Sequence, residues 1–488
     1  MEVLLLNPPF LPRYSRSSRS PAVTRSGTLY YPLWLAHAAG VLEREGHKVR
    51  LVDAPADGLT AEDVVQIARD FEPRLVVLDT STPSIHSDVG MAAALKSAVG
   101  DALVCLVGTH PSALPEETLA MSPAVDAVAR HEYDYTLRDL AAARECGADL
   151  SGVSGLSYRR GGEVVNNPDR QLIENLDAIP FVSETYRKHL CIEHYFYAHV
   201  SRPVISIFAG RGCPGRCTFC LYPQTMFGRR YRHRSATHLV DELEFISREM
   251  GQVREVLIDD DCFSADQQFV RQVCQEILRR GLRTTWSVQV RVNLNYQTML
   301  LMRQAGCRLV VAGFESGNQQ ILDNIRKGTT VERARAFMAE ARQARLQVHG
   351  CFMAGNPGET PETLKDTLNL ALELDPDLAQ FFPLMVYPGT EAYRWAEENG
   401  YLVTRDFSQW LTADGCHRAL VSTPELSAEQ VEEFCRAARR RFYLRPRFLA
   451  RSLWRAVRSR DERSHLVRGA RAFVRHLLPR SPRMEVAK

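Results

Sequence analysis

No run of about 18 consecutive apolar residues, the length a spanning helix needs, occurs in this 488-residue chain, so no transmembrane helix is expected. The first residues, Met1-Glu-Val-Leu-Leu-Leu-Asn7, lack the basic region of a signal peptide and read as a buried strand. Twelve cysteines without such a segment argue for a reducing cytoplasm, not a disulfide framework. An excess of one charge is also missing, because the formal net charge is only +3. That balance hides an asymmetry. Residues 436–488 hold sixteen Arg and one Lys against Asp461, Glu462 and Glu485, a charge of +14 that leaves −11 for the remainder. A basic tail on an acidic body points to an anionic surface as partner. Hydrophobic content of 45% and charged content of 24% are ordinary for a globular protein. The length suggests several domains at roughly 100–200 residues each.

Residues 1–140 alternate strands at 2–6, 49–53, 75–79 and 102–107 with helices at 34–45, 61–71 and 86–99. This alternation predicts a doubly wound α/β domain with a parallel sheet and helices on both faces. Ligands of such sheets bind at the carboxyl ends of the strands. The loops there are Asn7-Pro-Pro-Phe10, Asp79-Thr-Ser-Thr-Pro83 and Gly108-Thr-His-Pro-Ser112. Thr80, Ser81, Gly108 and His110 are therefore candidate binding residues. His110 suits either a metal or a backbone hydrogen bond, and a flavodoxin-like domain without a cofactor fits the same pattern. Residues 141–200 read as a connector. It holds a hairpin, with one strand at 152–160, a Gly161-Gly162 turn and a return at Val164-Val165.

From 201 to 400 the alternation resumes. Strands are expected at 204–208, 253–258, 285–290, 309–312, 348–353 and 378–382, with helices between them. Six such units predict a partial (β/α)6 barrel with its site at the carboxyl ends of the strands. The first strand leads into Gly210-Arg-Gly-Cys-Pro-Gly-Arg-Cys-Thr-Phe-Cys-Leu221, where Cys213, Cys217 and Cys220 are spaced C-x3-C-x2-C. Thiolates are soft ligands suited to iron–sulfur clusters. Three of them on a cubane leave one iron free to take a small molecule. A zinc knuckle would need a fourth Cys or His at short spacing, and His233 lies thirteen residues beyond Cys220.

This cysteine run closely resembles that of the radical S-adenosylmethionine enzymes. The resemblance implies a [4Fe-4S] cluster on Cys213, Cys217 and Cys220. It also implies that S-adenosylmethionine chelates the open iron and is reductively cleaved to a 5′-deoxyadenosyl radical. The later strand ends carry groups similar to that family's. Asp259-Asp-Asp261 would face the ammonium of S-adenosylmethionine or the substrate, with Asp259 on the cofactor and Asp260 and Asp261 catalytic; a solvated acidic turn is the other reading. Arg291 suits the carboxylate, since a guanidinium fits it bidentately. Glu315 and Ser316 suit ribose hydroxyls. Gly355 and Pro357, in Ala354-Gly-Asn-Pro-Gly-Glu-Thr360, would lie against the nucleoside, and Phe219 near the adenine edge. Cys262 could donate a hydrogen atom to a substrate radical or be a buried small hydrophobe.

The N-terminal phrases Val76-Val-Leu-Asp-Thr-Ser-Thr-Pro83 and Val107-Gly-Thr-His-Pro-Ser-Ala-Leu-Pro-Glu-Glu117 resemble the cobalamin-binding domain of one subclass. The D-x-H-x-x-G motif is absent, so no lower histidine ligand is implied. Over nearly the whole chain the sequence is similar to the hopanoid-biosynthesis-associated radical proteins of the J type. The matching stretches are 19–32, 212–220, 314–322 and 442–447. That family is understood to contract the ring of a glucosamine on a hopanoid lipid to an aminocyclopentitol. Cys262 stands where threonine is expected. The resemblance also implies an electron donor such as flavodoxin or ferredoxin. A cobalamin-dependent methylase acting on an unactivated carbon is the enzymatic alternative, and a cofactor-based sensor the non-enzymatic one.

The tail, 401–488, is expected to end in basic amphipathic helices at 448–458 and 466–478. Such helices suit a membrane surface, or packing on the acidic body. The expected location is the cytoplasm, peripheral on the inner face of the membrane. No RNA-binding fold follows the barrel, so no nucleic acid is expected.

Overall fold

β1 (Glu2–Asn7) is apolar on both faces, as a strand between two covering layers must be. Val3 and Leu5 join one hydrophobic core, and Leu4 and Leu6 another. The computed structural model describes residues 1–458 together with 463 and 467. β1 pairs in parallel with β2 (Lys48–Asp53) and β3 (Leu75–Asp79). β4 (Leu103–Val107) and β5 (Ala127–Ala129) extend the sheet in the same sense. The hairpin expected in the connector, β6 (Leu156–Arg160) and β7 (Glu163–Asn166), adds two antiparallel strands to this sheet rather than standing apart. The order is β2-β1-β3-β4-β5-β6-β7. It reverses direction between β1 and β3, which sets a binding crevice at their carboxyl ends.

The second sheet holds β8 (Val204–Ile207), β11 (Glu255–Ile258), β12 (Trp286–Val290), β13 (Cys307–Glu315), β14 (Gln347–Ala354) and β15 (Leu378–Pro383). All pairs are parallel and the strands lie in sequential order. Right-handed crossovers in one direction put the helices on one face, the start of a barrel. A two-stranded ribbon, β9 (Gly210–Arg211) with β10 (Arg232–His233), brackets the cysteine loop. β13 runs three residues further than the sequence suggests, so Glu315 ends the strand instead of sitting in a loop.

Among the described residues no helix is long and apolar enough to cross a membrane. The helix expected at 448–458 is present as Pro446–Arg458. The one expected at 466–478 lies outside the described residues.

Candidate active site

β8 delivers the chain to the cysteine loop, and Asp260 fixes the delivery. Its carboxyl accepts from the amides of Ala209 at 2.7 Å and Gly210 at 3.1 Å, and from Tyr231 OH at 2.7 Å. Burial pushes Asp260 up to about 7. Its bonding is spent on the loop. In the loop, Cys213 and Cys217 are buried and Cys220 half-buried. The Cys262 thiol hydrogen-bonds Cys213 and pulls it down to about 7. Cys217 is held below the ordinary thiol value by a hydrogen bond from Cys220, with Lys327 and Arg291 adding positive charge. Arg291 Nη1 lies 3.6 Å from Cys217 Sγ, and Nη2 donates to the Lys327 carbonyl. A thiolate is the ligand form, so this donor set fits an iron–sulfur cluster.

Among the described residues no three His, Cys, Asp or Glu side chains converge on a single ion. A cubane instead takes each thiolate on a different iron. His233 is turned elsewhere: its ring stacks on Phe269 at 4.0 Å and bonds the Arg234 carbonyl.

Around the loop, the strand ends of the second sheet bring Asp259, Asp261, Arg291 and Glu315 to one side. Asp259 accepts from Arg19 Nη1 at 2.7 Å and from Gln289 Nε2, and Arg19 Nε reaches Asp261 at 3.2 Å. Glu315 has φ +62°, strained for a side chain of its size. Its Oε1 pairs with Lys327 Nζ at 2.6 Å, whereas the buried Oε2 has no hydrogen-bond partner. That free acceptor suits a ligand hydroxyl. Ser316 Oγ is 3.1 Å from Thr367 Oγ1. The Gly355 amide donates to Glu359, and the Pro357 carbonyl accepts from Asn324 Nδ2 at 2.8 Å. These bonds hold the 354–360 turn in shape. Phe219 is half-buried against the core. Cys262 is fully buried, with Ser264 Oγ 3.9 Å away.

At the first sheet, Gly108 has φ +116°, and a Cβ there would fall 2.3 Å from the Thr80 carbonyl. Only glycine allows β3 and β4 to end so closely. Ser81 Oγ lies 2.8 Å from both Tyr14 OH and Ser84 Oγ. His110 Nδ1 is 3.2 Å from Thr82 Oγ1, its ring lies edge-on to Phe407, and burial lowers it to about 3. A neutral imidazole among Thr80, Ser81, Thr109 and Ser112 is a donor set that fits the amide-rimmed corrin of cobalamin.

The segment after Pro9 joins the two sets of strand ends. Arg16 is buried with Asp88 at 2.6 Å, Ser17 Oγ bonds Asp79 at 2.9 Å, and Arg19 crosses to Asp259 and Asp261. Sequence reasoning missed Arg19, Lys327, Tyr231 and Gln289. Arg19, Tyr231 and Gln289 act through carboxylates on another strand end, and Lys327 through Glu315 twelve residues before it; Arg19 alone had a signal, standing in a stretch singled out by resemblance.

Fold and site define a two-module enzyme class, a nucleotide-type α/β domain set against a cluster-bearing barrel. The model of the radical SAM superfamily matches residues 207–371, and that of the B12 binding domain residues 19–141. An uncharacterized methyltransferase of Pyrococcus horikoshii is 32% identical over 93% of this chain and 95% of its own length. An anaerobic magnesium-protoporphyrin IX monomethyl ester cyclase of Rubrivivax gelatinosus is 29% identical over 74% of this chain and 66% of its own. Among solved structures, the radical S-adenosylmethionine methyltransferase TsrM of Kitasatospora setae aligns with TM-score 0.65 at 22% identity, over 81% of this chain and 76% of that one. The chain belongs to the radical S-adenosylmethionine family that carries a cobalamin-binding domain. Its cofactors are a [4Fe-4S] cluster, S-adenosylmethionine and cobalamin.

Proposed function

We propose that this radical enzyme transfers a methyl group, by way of cobalamin, to an unactivated carbon of a lipid or other natural product. One observation carries the reading: a single strap, residues 16–19, ties the carboxyl ends of the cobalamin-domain strands to those of the barrel. The methyl carrier and the radical source then address one space. The 32% identity to a methyltransferase supports the same choice. Bound together, the cofactors supply one-electron and methyl-carrier chemistry. The chain's own residues do the rest. Cys213, Cys217 and Cys220 hold the cluster, with Arg291 and Lys327 bringing positive charge to Cys217. Arg291 and Asp259 bracket the methionine end of S-adenosylmethionine, and Glu315 Oε2 takes a ribose hydroxyl. Asp261 and Arg19 face the substrate side.

A second reading, ring contraction of a glucosamine on a hopanoid lipid, is favoured by the placement of Arg19. It opens the stretch that resembles the hopanoid-associated proteins, and it reaches Asp259 and Asp261. Either reading takes a flavodoxin- or ferredoxin-like electron donor. A lipid substrate suits the helix Pro446–Arg458, where Leu449, Leu453 and Val457 are 43%, 61% and 78% exposed beside a strongly basic sequence. That face fits an anionic membrane surface.

Anaerobic incubation of the reconstituted enzyme with reductant, S-adenosylmethionine, methylcobalamin and glucosaminyl hopanoid tests both readings by mass spectrometry. S-adenosylhomocysteine with a methyl-mass gain in the lipid supports transfer. Deoxyadenosine with a rearranged lipid of unchanged methyl content supports contraction. Deoxyadenosine with an unchanged lipid rejects this substrate for both.

A further inference from the structure

The ribbon that opens the cysteine loop sets Arg211 of β9 directly opposite Arg232 of β10. Like charges facing across strands repel, and here both are buried. They are tolerated because Glu132, from the first domain, accepts from both: Arg211 Nη1 at 2.7 Å and Arg232 Nη1 at 2.9 Å. Asp134 takes the Arg211 fork, at 2.7 Å from Nη1 and 3.1 Å from Nη2. The Arg211 guanidinium also lies against Phe208, Trp34 and Phe227, with ring centroids at 4.9, 5.2 and 5.6 Å. All four charged side chains are at most 5% exposed. Arg211 stands two residues before Cys213. Beyond the loop, His131 Nδ1 lies 2.8 Å from the carbonyl of Thr225, in the short helix that follows Cys220. One segment of the cobalamin-binding domain, 131–134, therefore grips the cluster loop at both ends.

We propose that Glu132 and Asp134 are positioning residues for the iron–sulfur cluster. They dock the cysteine loop on the cobalamin-binding domain, so the two cofactors keep one register, and they cancel the charge that Arg211 and Arg232 bring to the foot of the loop. Two arginines against two carboxylates make a closed, neutral set. Cluster potentials follow net charge and hydrogen bonding nearby. Losing one carboxylate leaves an uncompensated cation, which favours the reduced, more negative cluster. Losing Arg211 does the opposite. The inference rests on the cluster assignment and not on methyl transfer.

The test is an EPR-monitored redox titration of the full-length, reconstituted protein without substrate. Asp134→Asn, which keeps the side chain's shape, is expected to move the midpoint potential positive, and Arg211→Gln to move it negative. The double variant should return toward wild type. Shifts of the same sign, or none, in folded variants of wild-type iron content overturn the proposal. Where a single neutralisation does not yield folded protein, Arg211→Lys is read instead. It keeps the charge and loses the fork, so altered g-values support the proposal and a wild-type spectrum overturns it. A protein that forms no methylated product still reports on this test, so its failure is distinct from failure of the transfer reading.

Discussion

Arg19 Nη1 lies 2.7 Å from Asp259 Oδ1, across 240 residues of sequence. The same guanidinium reaches Asp261 at 3.2 Å and the Asp259 carbonyl at 2.8 Å, so one side chain of the first domain pairs with both carboxylates at the acidic end of β11. Arg19 keeps 29% of its side chain exposed while both carboxylates are buried. Solvent screening then reduces what the pair is worth. Arg19→Met should cost about 1–3 kcal/mol, less than the loss for a fully buried pair. Denaturant unfolding of the apo protein measures it, and Arg19→Lys should recover part of the loss.

Glu315 and Lys327 are both buried, and their pairing at 2.6 Å crosses only twelve residues. Removing one partner strands a buried charge, at about 3–5 kcal/mol. Lys327→Met should therefore destabilise the apo protein strongly, and Glu315→Gln in the same chain should restore much of it. A double-mutant cycle on unfolding free energies reads the coupling. Lys327 also lowers Cys217, so Lys327→Met should slow alkylation of that thiol at neutral pH.

Asp260 is fully buried and pushed up to about 7 from an ordinary 3.8. Its folded-state value is raised, so the proton stabilises the native state. That contribution is whole below about pH 4 and is lost as pH rises through 7. At about 1.4 kcal/mol per unit the loss is a few kcal/mol. Asp260→Asn removes the titration and still accepts from the Ala209 and Gly210 amides. Melting temperature followed from pH 4 to 8 should fall less in the variant than in wild type; parallel curves would remove this role.

The cysteine loop and the strand-end turns were legible because their chemistry is local. Spacing and order along the chain carry them. The six barrel strands were legible for the same reason, each an apolar run closed by a turn. β5 was not, since three residues, Ala127–Ala129, leave no period to read. The hairpin 156–166 was visible as a hairpin, but its pairing with β5 was not, because edge pairing is a tertiary choice. Lys327 and Glu132 were invisible as site residues, and Arg19 showed only through the stretch it opens. A charged side chain records nothing in sequence about the partner it is buried with. Asp260 looked like its neighbours Asp259 and Asp261, and only the three donors around it separate its work from theirs.

The tail makes its own prediction. Arg445 and Arg451 anchor the helix Pro446–Arg458 to Asp375 at 2.8 and 2.9 Å, leaving Leu453 and Val457 outward. Interfacial binding joins apolar burial with about 1 kcal/mol per basic residue near anionic lipid. Co-sedimentation with phosphatidylglycerol vesicles should exceed that with neutral vesicles and fall with salt. Leu453→Asp with Val457→Asp should weaken it at least tenfold, about the effect of 1.4 kcal/mol. Equal binding to both vesicle types would reject the surface.

Cys262 stands where its thiol can act on the cluster loop. It hydrogen-bonds Cys213 and is the largest cause of that thiol's fall to about 7. Its own thiol is correspondingly raised well above the ordinary value. A donor that stays protonated suits the sulfur of a neighbouring thiolate. Cys262→Ala removes the donor, so alkylation of Cys213 in the apo protein should require higher pH, with its midpoint moving toward the ordinary 9. Cys262→Ser keeps a donor and should hold the midpoint low. Mass-spectrometric alkylation profiles from pH 5 to 10 distinguish the two. If serine and alanine behave alike, the hydrogen bond does not set the Cys213 thiolate, and the shift belongs to Arg291 and the loop amides.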